Sequence, residues 1–232
     1  MRLPGYGTSA EALHETYGVY HLSRLEADER KELATAFGAA QERLKGRMEA
    51  YGAARASAMR ALAVRDADDD ACDNAVRAFA MALRAKSGNN PKAPLYQKYF
   101  EDGLNATIGA PLDEELHRCA ILLSKLNEEE DPALKPYVQT ISSAVATLSQ
   151  AMDAHRAAMD AEAQAWGLLE TEKINWFDAY KRSYRELGRI FFKEPKRADA
   201  YFKPFAKGKK NGNGGTAPTG DIDTPRPPVN KA

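Results

Sequence analysis

The chain has 232 residues, and its 33 basic and 33 acidic side chains give a formal net charge of zero at neutral pH. This length is sufficient to bury a hydrophobic core without the help of disulfide bonds or metal ions. The zero net charge excludes a bulk attraction to nucleic acid or membranes. No stretch approaches the roughly 18 apolar residues of a membrane-spanning helix, and the N-terminus has no apolar run of signal-peptide length. These features predict a cytoplasmic protein.

The first half of the chain predicts three helices and a short aromatic segment. A short helix is expected over residues 9–25, followed by a long one over 27–65, where apolar side chains recur every three or four positions. The acidic run at residues 66–70 predicts a turn and the start of a third helix. Residues 87–91 (Ser-Gly-Asn-Asn-Pro) predict the end of that helix, and the aromatic segment at 95–100 predicts one or two helical turns.

The second half predicts the same order of elements. A short helix is expected over residues 112–127, a long helix over 136–170 and a third helix over 173–192. An aromatic segment follows at residues 201–205. The last stretch, residues 207–232, is rich in glycine, proline, lysine and asparagine and predicts a disordered tail.

The two halves also resemble each other residue by residue. Residues 22–25 (Leu-Ser-Arg-Leu) are matched by residues 123–126 (Leu-Ser-Lys-Leu), 101 positions later. A repeat this long exceeds the roughly 20–50 residues of a solenoid unit, so it predicts a duplication, with one repeat over 9–103 and the other over 110–206. We expect both repeats to pack as one elongated, all-α bundle of about six main helices with coiled-coil-like packing.

Two Glu-x-x-His motifs are the candidate metal ligands in the sequence, namely Glu11 with His14 and Glu114 with His117. Two such pairs plus two further glutamates form the di-iron site of ferritin-like proteins. The apolar faces of the long helices do not supply those glutamates in both repeats. The sequence therefore favours a surface coincidence, and it predicts no metal and no cofactor.

The two cysteines, Cys72 and Cys119, fall at unlike positions of the two predicted repeats. A metal site would need more cysteine or histidine residues at close spacing. The sequence therefore predicts two small, buried, reduced side chains.

A row of cations is the candidate interaction surface. Lys181, Arg185, Arg189 and Lys193, which we call the basic ridge, follow one another at a spacing of four residues. Like charges at this spacing repel one another slightly. Binding of an external anion or of an acidic partner would explain why four cations occur on one helix face. Trp176 lies beside the predicted apolar stripe and is the best candidate for an exposed aromatic anchor. The other interpretation of the aromatic side chains around it is a core that diverged after duplication. The alternative interpretation of the ridge is a solvated helix face.

No catalytic motif and no glycine-rich phosphate loop is present, so the sequence favours a protein that is not an enzyme. It predicts a helical interaction or scaffold protein that binds a protein partner or a second copy of itself. The acidic stretches at residues 66–73 and 128–131 would repel a polyanion. An electrostatic nucleic-acid-associated protein is the first alternative, and a di-iron ferritin-like oxidoreductase is the second; the sequence predicts no particular small-molecule ligand.

Overall fold

A computed structural model describes residues 3–205. Within that range the chain is mostly helical and contains no β-strand, which confirms the all-α class. No helix in the described part is both long and apolar enough to cross a lipid bilayer. The elements, in chain order, are a π-helical segment (Ala12–Gly18), α1 (Val19–Ala27), α2 (Lys31–Lys86), α3 (Pro94–Tyr99), α4 (Leu104–Ile108), α5 (Leu112–Asn127), α6 (Pro136–Ile190) and α7 (Pro195–Asp199).

Helix α2 runs without a break for 56 residues, so the turn predicted at residues 66–70 is wrong. Aspartate costs a helix interior only a few tenths of a kcal/mol, whereas glycine and proline are the residues that interrupt helices. Neither glycine nor proline occurs between residues 53 and 87. The helix ends where Gly88 and Asn89 adopt positive φ angles.

Helix α6 is also continuous, over 55 residues, so the break predicted between residues 170 and 173 is wrong as well. No proline lies between residues 137 and 194. By contrast, the short helix predicted over residues 112–127 is confirmed as α5. The short helix predicted over residues 9–25 is present as the π-helical segment followed by α1.

The described chain divides into two compact units. Unit 1 comprises residues 3–54 and 162–205, and unit 2 comprises residues 55–161. Each unit therefore contains part of both predicted repeats, because α2 and α6 each continue from one unit into the other. The duplication itself stays a prediction, and the predicted tail at residues 207–232 lies outside the described residues.

Each unit has its own hydrophobic core. The core of unit 1 is aromatic and is formed by the π-helical segment, α1, α7 and the parts of α2 and α6 that belong to this unit. The core of unit 2 is mainly aliphatic, and it includes both cysteines of the chain. Its fully buried members include Cys72, Val76, Phe79, Leu83, Cys119, Leu126, Leu134, Ile141 and Leu148.

Candidate metal-binding site

The two Glu-x-x-His pairs do not belong to any cluster of metal ligands in the described part of the chain. Glu11 is exposed and His14 is half-buried in unit 1. In unit 2, Glu114 accepts a hydrogen bond from Arg118 Nε at 2.8 Å, and His117 is exposed. These four residues therefore provide no support for a di-iron site.

The basic ridge is only partly assembled on one helix. Arg185 and Arg189 are exposed on α6, whereas Lys181 is half-buried and donates a hydrogen bond from Nζ to the Tyr6 hydroxyl at 3.0 Å. Lys193 lies three residues beyond the end of α6 and so leaves the helical spacing of four. The ridge thus comprises two exposed arginines, of which Arg189 pairs with Glu186 at 3.0 Å, with a lysine on either side.

Trp176 is fully buried, so the prediction of an exposed aromatic anchor is wrong. Its indole Nε1 donates a hydrogen bond to Gln41 Oε1 at 2.8 Å, and its ring stacks on Tyr180 with centroids 4.8 Å apart. Residues 176 and 180 are separated by one helical turn and share a face, and the adjacent Phe177 is also buried and contacts the Trp176 ring. The aromatic stripe of α6 is therefore broader than the periodicity indicated.

The two cysteines meet in the core of unit 2, although they are 47 residues apart in the sequence. The Sγ atoms of Cys72 and Cys119 and a carboxylate oxygen of Glu115 all lie within 4.8 Å of one another. Both cysteines have no exposed surface, and Glu115 is 2% exposed. This group is the one set of three potential metal ligands among residues 3–205.

Helical periodicity explains how these side chains come together. On α5, Glu115 and Cys119 are one turn apart and begin the buried stripe that continues through Leu122 and Leu126. Glu115 therefore occupies a position where an apolar residue is the usual choice. On α2, Cys72 begins the corresponding buried stripe and faces α5.

Two further carboxylates of α2, Asp69 and Asp73, lie beside this group. One oxygen on each of three carboxyl groups is buried and receives no hydrogen bond from an N–H or hydroxyl donor among residues 3–205, namely Asp69 Oδ1, Asp73 Oδ1 and Glu115 Oε1. The other oxygen of Asp73 accepts a hydrogen bond from Arg77 Nη2 at 2.6 Å. The Asp73 and Glu115 carboxyl groups also hydrogen-bond to each other when Glu115 is protonated, an interaction that raises the pKa of Glu115. A bound cation would take the place of that proton.

The electrostatics of the cluster disfavour negative charge on four of its five acidic side chains; at the fifth, a hydrogen bond from Cys72 lowers the pKa of the Cys119 thiol. Burial, followed by the charges of Asp69 and Asp73, raises the pKa of Glu115 to about 7. Burial also raises the pKa of both aspartates. A hydrogen bond to Cys119, then burial and the nearby negative charges, raises the pKa of the Cys72 thiol. A bound divalent cation reverses this tendency, because it is the largest local charge and favours the deprotonated ligands.

The sequence contained a signal for this cluster that cysteine spacing alone does not show. Asp69, Cys72 and Asp73 stand at i, i+3 and i+4 on one helix, and Glu115 and Cys119 stand at i and i+4 on another. These spacings place each set on one helical face. Counting carboxylates together with cysteines would have revealed both halves of the site.

A scan against protein-family models matches no family, and searches of curated proteins and of solved structures find no match. Function is therefore inferred from the chemistry of the residues themselves.

Proposed function

We propose that this protein binds a zinc ion in unit 2 through Cys72, Cys119 and Glu115. The observation that carries the proposal is the meeting of two fully buried thiols with a carboxyl group that is 2% exposed and has an oxygen that no N–H or hydroxyl donor reaches in the described part of the chain. A charged side chain is almost never fully buried unless it is paired or coordinates a metal.

The distances within the group suit zinc coordination after a small contraction. Zn–S bonds of about 2.3 Å and Zn–O bonds of about 2.0–2.2 Å in a tetrahedron place two sulfurs roughly 3.8 Å apart and a sulfur and an oxygen roughly 3.5 Å apart. The three donor atoms already lie within 4.8 Å of one another. A closure of at most about 1.3 Å per pair, within the range of side-chain rotation, brings them to bonding positions.

The donor atoms select the class of metal. Thiolates are soft ligands that favour zinc and iron–sulfur chemistry, whereas magnesium and calcium prefer oxygen ligands alone. Two thiolates with carboxylate support are typical of zinc rather than of a carboxylate-bridged iron pair. The reduced thiols that this site needs are the normal state of cysteine in the cytoplasm, which we propose as the compartment.

A zinc ion at this position would join α2 to α5. Cys72 lies on α2, whereas Glu115 and Cys119 lie on α5, and both helices contribute to the core of unit 2. Metal-binding free energy is then also folding free energy, because the unfolded chain does not hold the ligands together. We therefore propose that zinc has a structural role and fixes the packing of unit 2.

Metal binding can be measured on the full chain after removal of metal with a chelator. Wild-type protein should bind one zinc ion, and cobalt in place of zinc should produce a thiolate-to-cobalt charge-transfer absorption. At a free zinc concentration of about 1,000 times Kd, the gain in unfolding free energy is about 4 kcal/mol. The melting temperature should then rise by roughly 10 °C. The double variant C72A/C119A should show neither the absorption nor the stabilisation.

The matched control is E114Q/H117A, which changes two exposed potential ligands on the same helix. This variant should bind cobalt as the wild type does. Equal cobalt affinities for wild type and C72A/C119A, or a wild-type spectrum without a thiolate band, would rule out the proposed site. Circular dichroism of each variant verifies that the helices are retained.

We further propose that the protein acts as a helical interaction or scaffold protein, with the basic ridge as its contact surface. Arg185 is exposed on α6, and Arg189 is 78% exposed even though it contacts Glu186 at 3.0 Å. Exposed cations of this kind support contact with an acidic protein surface, or with the phosphates of a nucleic acid as the alternative.

A further inference from the structure

We propose that a cavity beside the start of the π-helical segment binds a small organic cation, namely an alkylammonium ion with an apolar group, against Tyr51 and Trp166. The cavity has a volume of about 360 Å³, which is within the roughly 300–1,000 Å³ of small-molecule sites. All the residues that line it belong to unit 1. This inference is therefore independent of the zinc site, whose ligands lie in unit 2.

Aromatic and apolar side chains form most of the cavity wall. Helix α2 contributes Met48 and Tyr51, and α6 contributes Trp166 and Leu169. The rings of Tyr51 and Trp166 are both half-buried, and their centroids are 5.2 Å apart with an angle of 57° between the planes. The face of an aromatic ring is partly negative and attracts a cation, most strongly when the ring is that of tryptophan. Two such rings in one wall favour an ammonium ion that carries an apolar group.

The charges in the wall also favour a cation. Glu11 and Glu170 are its two anionic side chains, and Lys173 is the one cationic side chain that lines it among the described residues. Lys173 Nζ donates to both carboxylate oxygens of Glu170, at 2.9 Å and 3.2 Å, so these two charges offset each other. Glu11 has no ion-pair partner within residues 3–205. One negative charge is therefore left to attract a ligand.

Lys173 makes the sign of the ligand's charge testable. An anion would have to displace Glu170 from this lysine, and it would enter a cavity that also contains Glu11. The Lys173 side chain is only 11% exposed, so solvent screens its charge less than that of a free surface lysine. Replacing Lys173 by methionine keeps an apolar stem and frees Glu170. Binding of a cation should then become tighter, whereas binding of an anion should become weaker.

The experiment compares three probes of similar size and shape by titration calorimetry of the full-length protein. They are choline, its uncharged carbon analogue neohexyl alcohol, and the tert-butylacetate anion. Choline should bind the wild type at least about fivefold more tightly than the alcohol does, because the aromatic faces and Glu11 act on its charge. The anion should bind more weakly than both.

Four variants locate the binding. W166L should weaken choline binding roughly 5–30-fold, and E11Q should weaken it by about two- to fivefold. K173M should tighten it by about two- to fivefold. The matched control is E15Q, which removes an exposed negative charge four residues after Glu11 but outside the cavity wall. It should bind choline as the wild type does, and circular dichroism verifies that each variant keeps its helices.

Equal affinities of the wild type for choline and the alcohol would overturn this inference, because the charge of the ligand would then play no part. Weaker choline binding by K173M, or equal losses in E11Q and E15Q, would overturn it as well. So would the absence of choline binding to the folded wild type at millimolar concentrations. Cobalt binding is measured separately through ligands in unit 2, so this inference and the zinc site can fail independently of each other.

Discussion

At the scale of single residues, His21 shows how a polar side chain is hydrogen-bonded inside the core of unit 1. The imidazole has no exposed surface, its Nδ1 lies 3.0 Å from the Tyr201 carbonyl oxygen and its Nε2 lies 2.7 Å from Ser183 Oγ. A carbonyl can only accept, so Nδ1 carries the proton and donates, and Nε2 accepts from the serine hydroxyl. Phe202 stacks on the ring with centroids 4.3 Å apart. Both nitrogens are therefore satisfied by a neutral imidazole.

Burial lowers the pKa of His21 to about 4, although the hydrogen bond to Tyr201 opposes this shift. The unfolded chain binds a proton near pH 6.5 and the folded chain does not, so His21 stabilises the fold above pH 6.5. That stability is lost progressively as the pH falls to about 4. The lost contribution is about 3 kcal/mol.

The variant H21L cannot titrate at this position. Urea unfolding of wild type and H21L across pH 7 to pH 4 should therefore show a difference in unfolding free energy that shrinks by about 3 kcal/mol toward acid. Other titrating groups affect both proteins alike, so the difference isolates His21. A difference that stays constant across this range would contradict a buried neutral imidazole.

At the scale of elements, the π-helical segment Ala12–Gly18 is explained by one buried amide. The His14 carbonyl oxygen accepts the Val19 backbone N–H and also Gln41 Nε2 at 2.6 Å. The Gln41 side chain also receives the Trp176 indole N–H. Its close approach depends on Gly18, where a Cβ atom would lie 2.1 Å from Gln41 Oε1. The wider turn of the π-helical segment and the absence of a side chain at Gly18 together leave room for the Gln41 amide.

Replacing this glycine should therefore destabilise unit 1. The variant G18A should lower the unfolding free energy by about 2–4 kcal/mol, because overpacking and the loss of the Gln41 hydrogen bonds act together. The matched control is G46A, in the interior of α2, where an added Cβ meets nothing within 4 Å. It should raise the unfolding free energy by about 0.5–1 kcal/mol through helix propensity. Equal effects of the two changes in chemical denaturation would refute the role assigned to Gly18.

At the scale of the whole molecule, the net charge is zero, so electrostatic contacts with a partner depend on local charged surfaces. If the basic ridge is a contact surface, the charge-reversal variant R185E/R189E should elute from a heparin resin at clearly lower salt than the wild type. The control K45E/R47E reverses two exposed cations elsewhere in unit 1 and should have a smaller effect. Equal shifts for the two variants would show that only net charge matters. Unchanged elution of R185E/R189E would show that the ridge is only a solvated face.

The sequence predicted the elements whose signals are local. Helix α5 has the predicted bounds because its signals lie close together in the sequence. They are an apolar stripe, a proline at its start and an acidic first turn. The continuity of α2 could also have been predicted, since its acidic run contains no glycine or proline. There the interpretation gave too much weight to aspartate as a capping residue.

Only the tertiary structure decided which helix faces meet. Helical periodicity indicates that Glu115 and Cys119 share a face, but it does not say that this face lies against Cys72 on α2. In the same way, periodicity placed Trp176 beside the core, and the packing of Phe37 and Gln41 of α2 against its ring decided that it is buried. Secondary structure depends on neighbours along the chain, whereas a binding site depends on contacts between distant segments, which the packing of the whole chain selects.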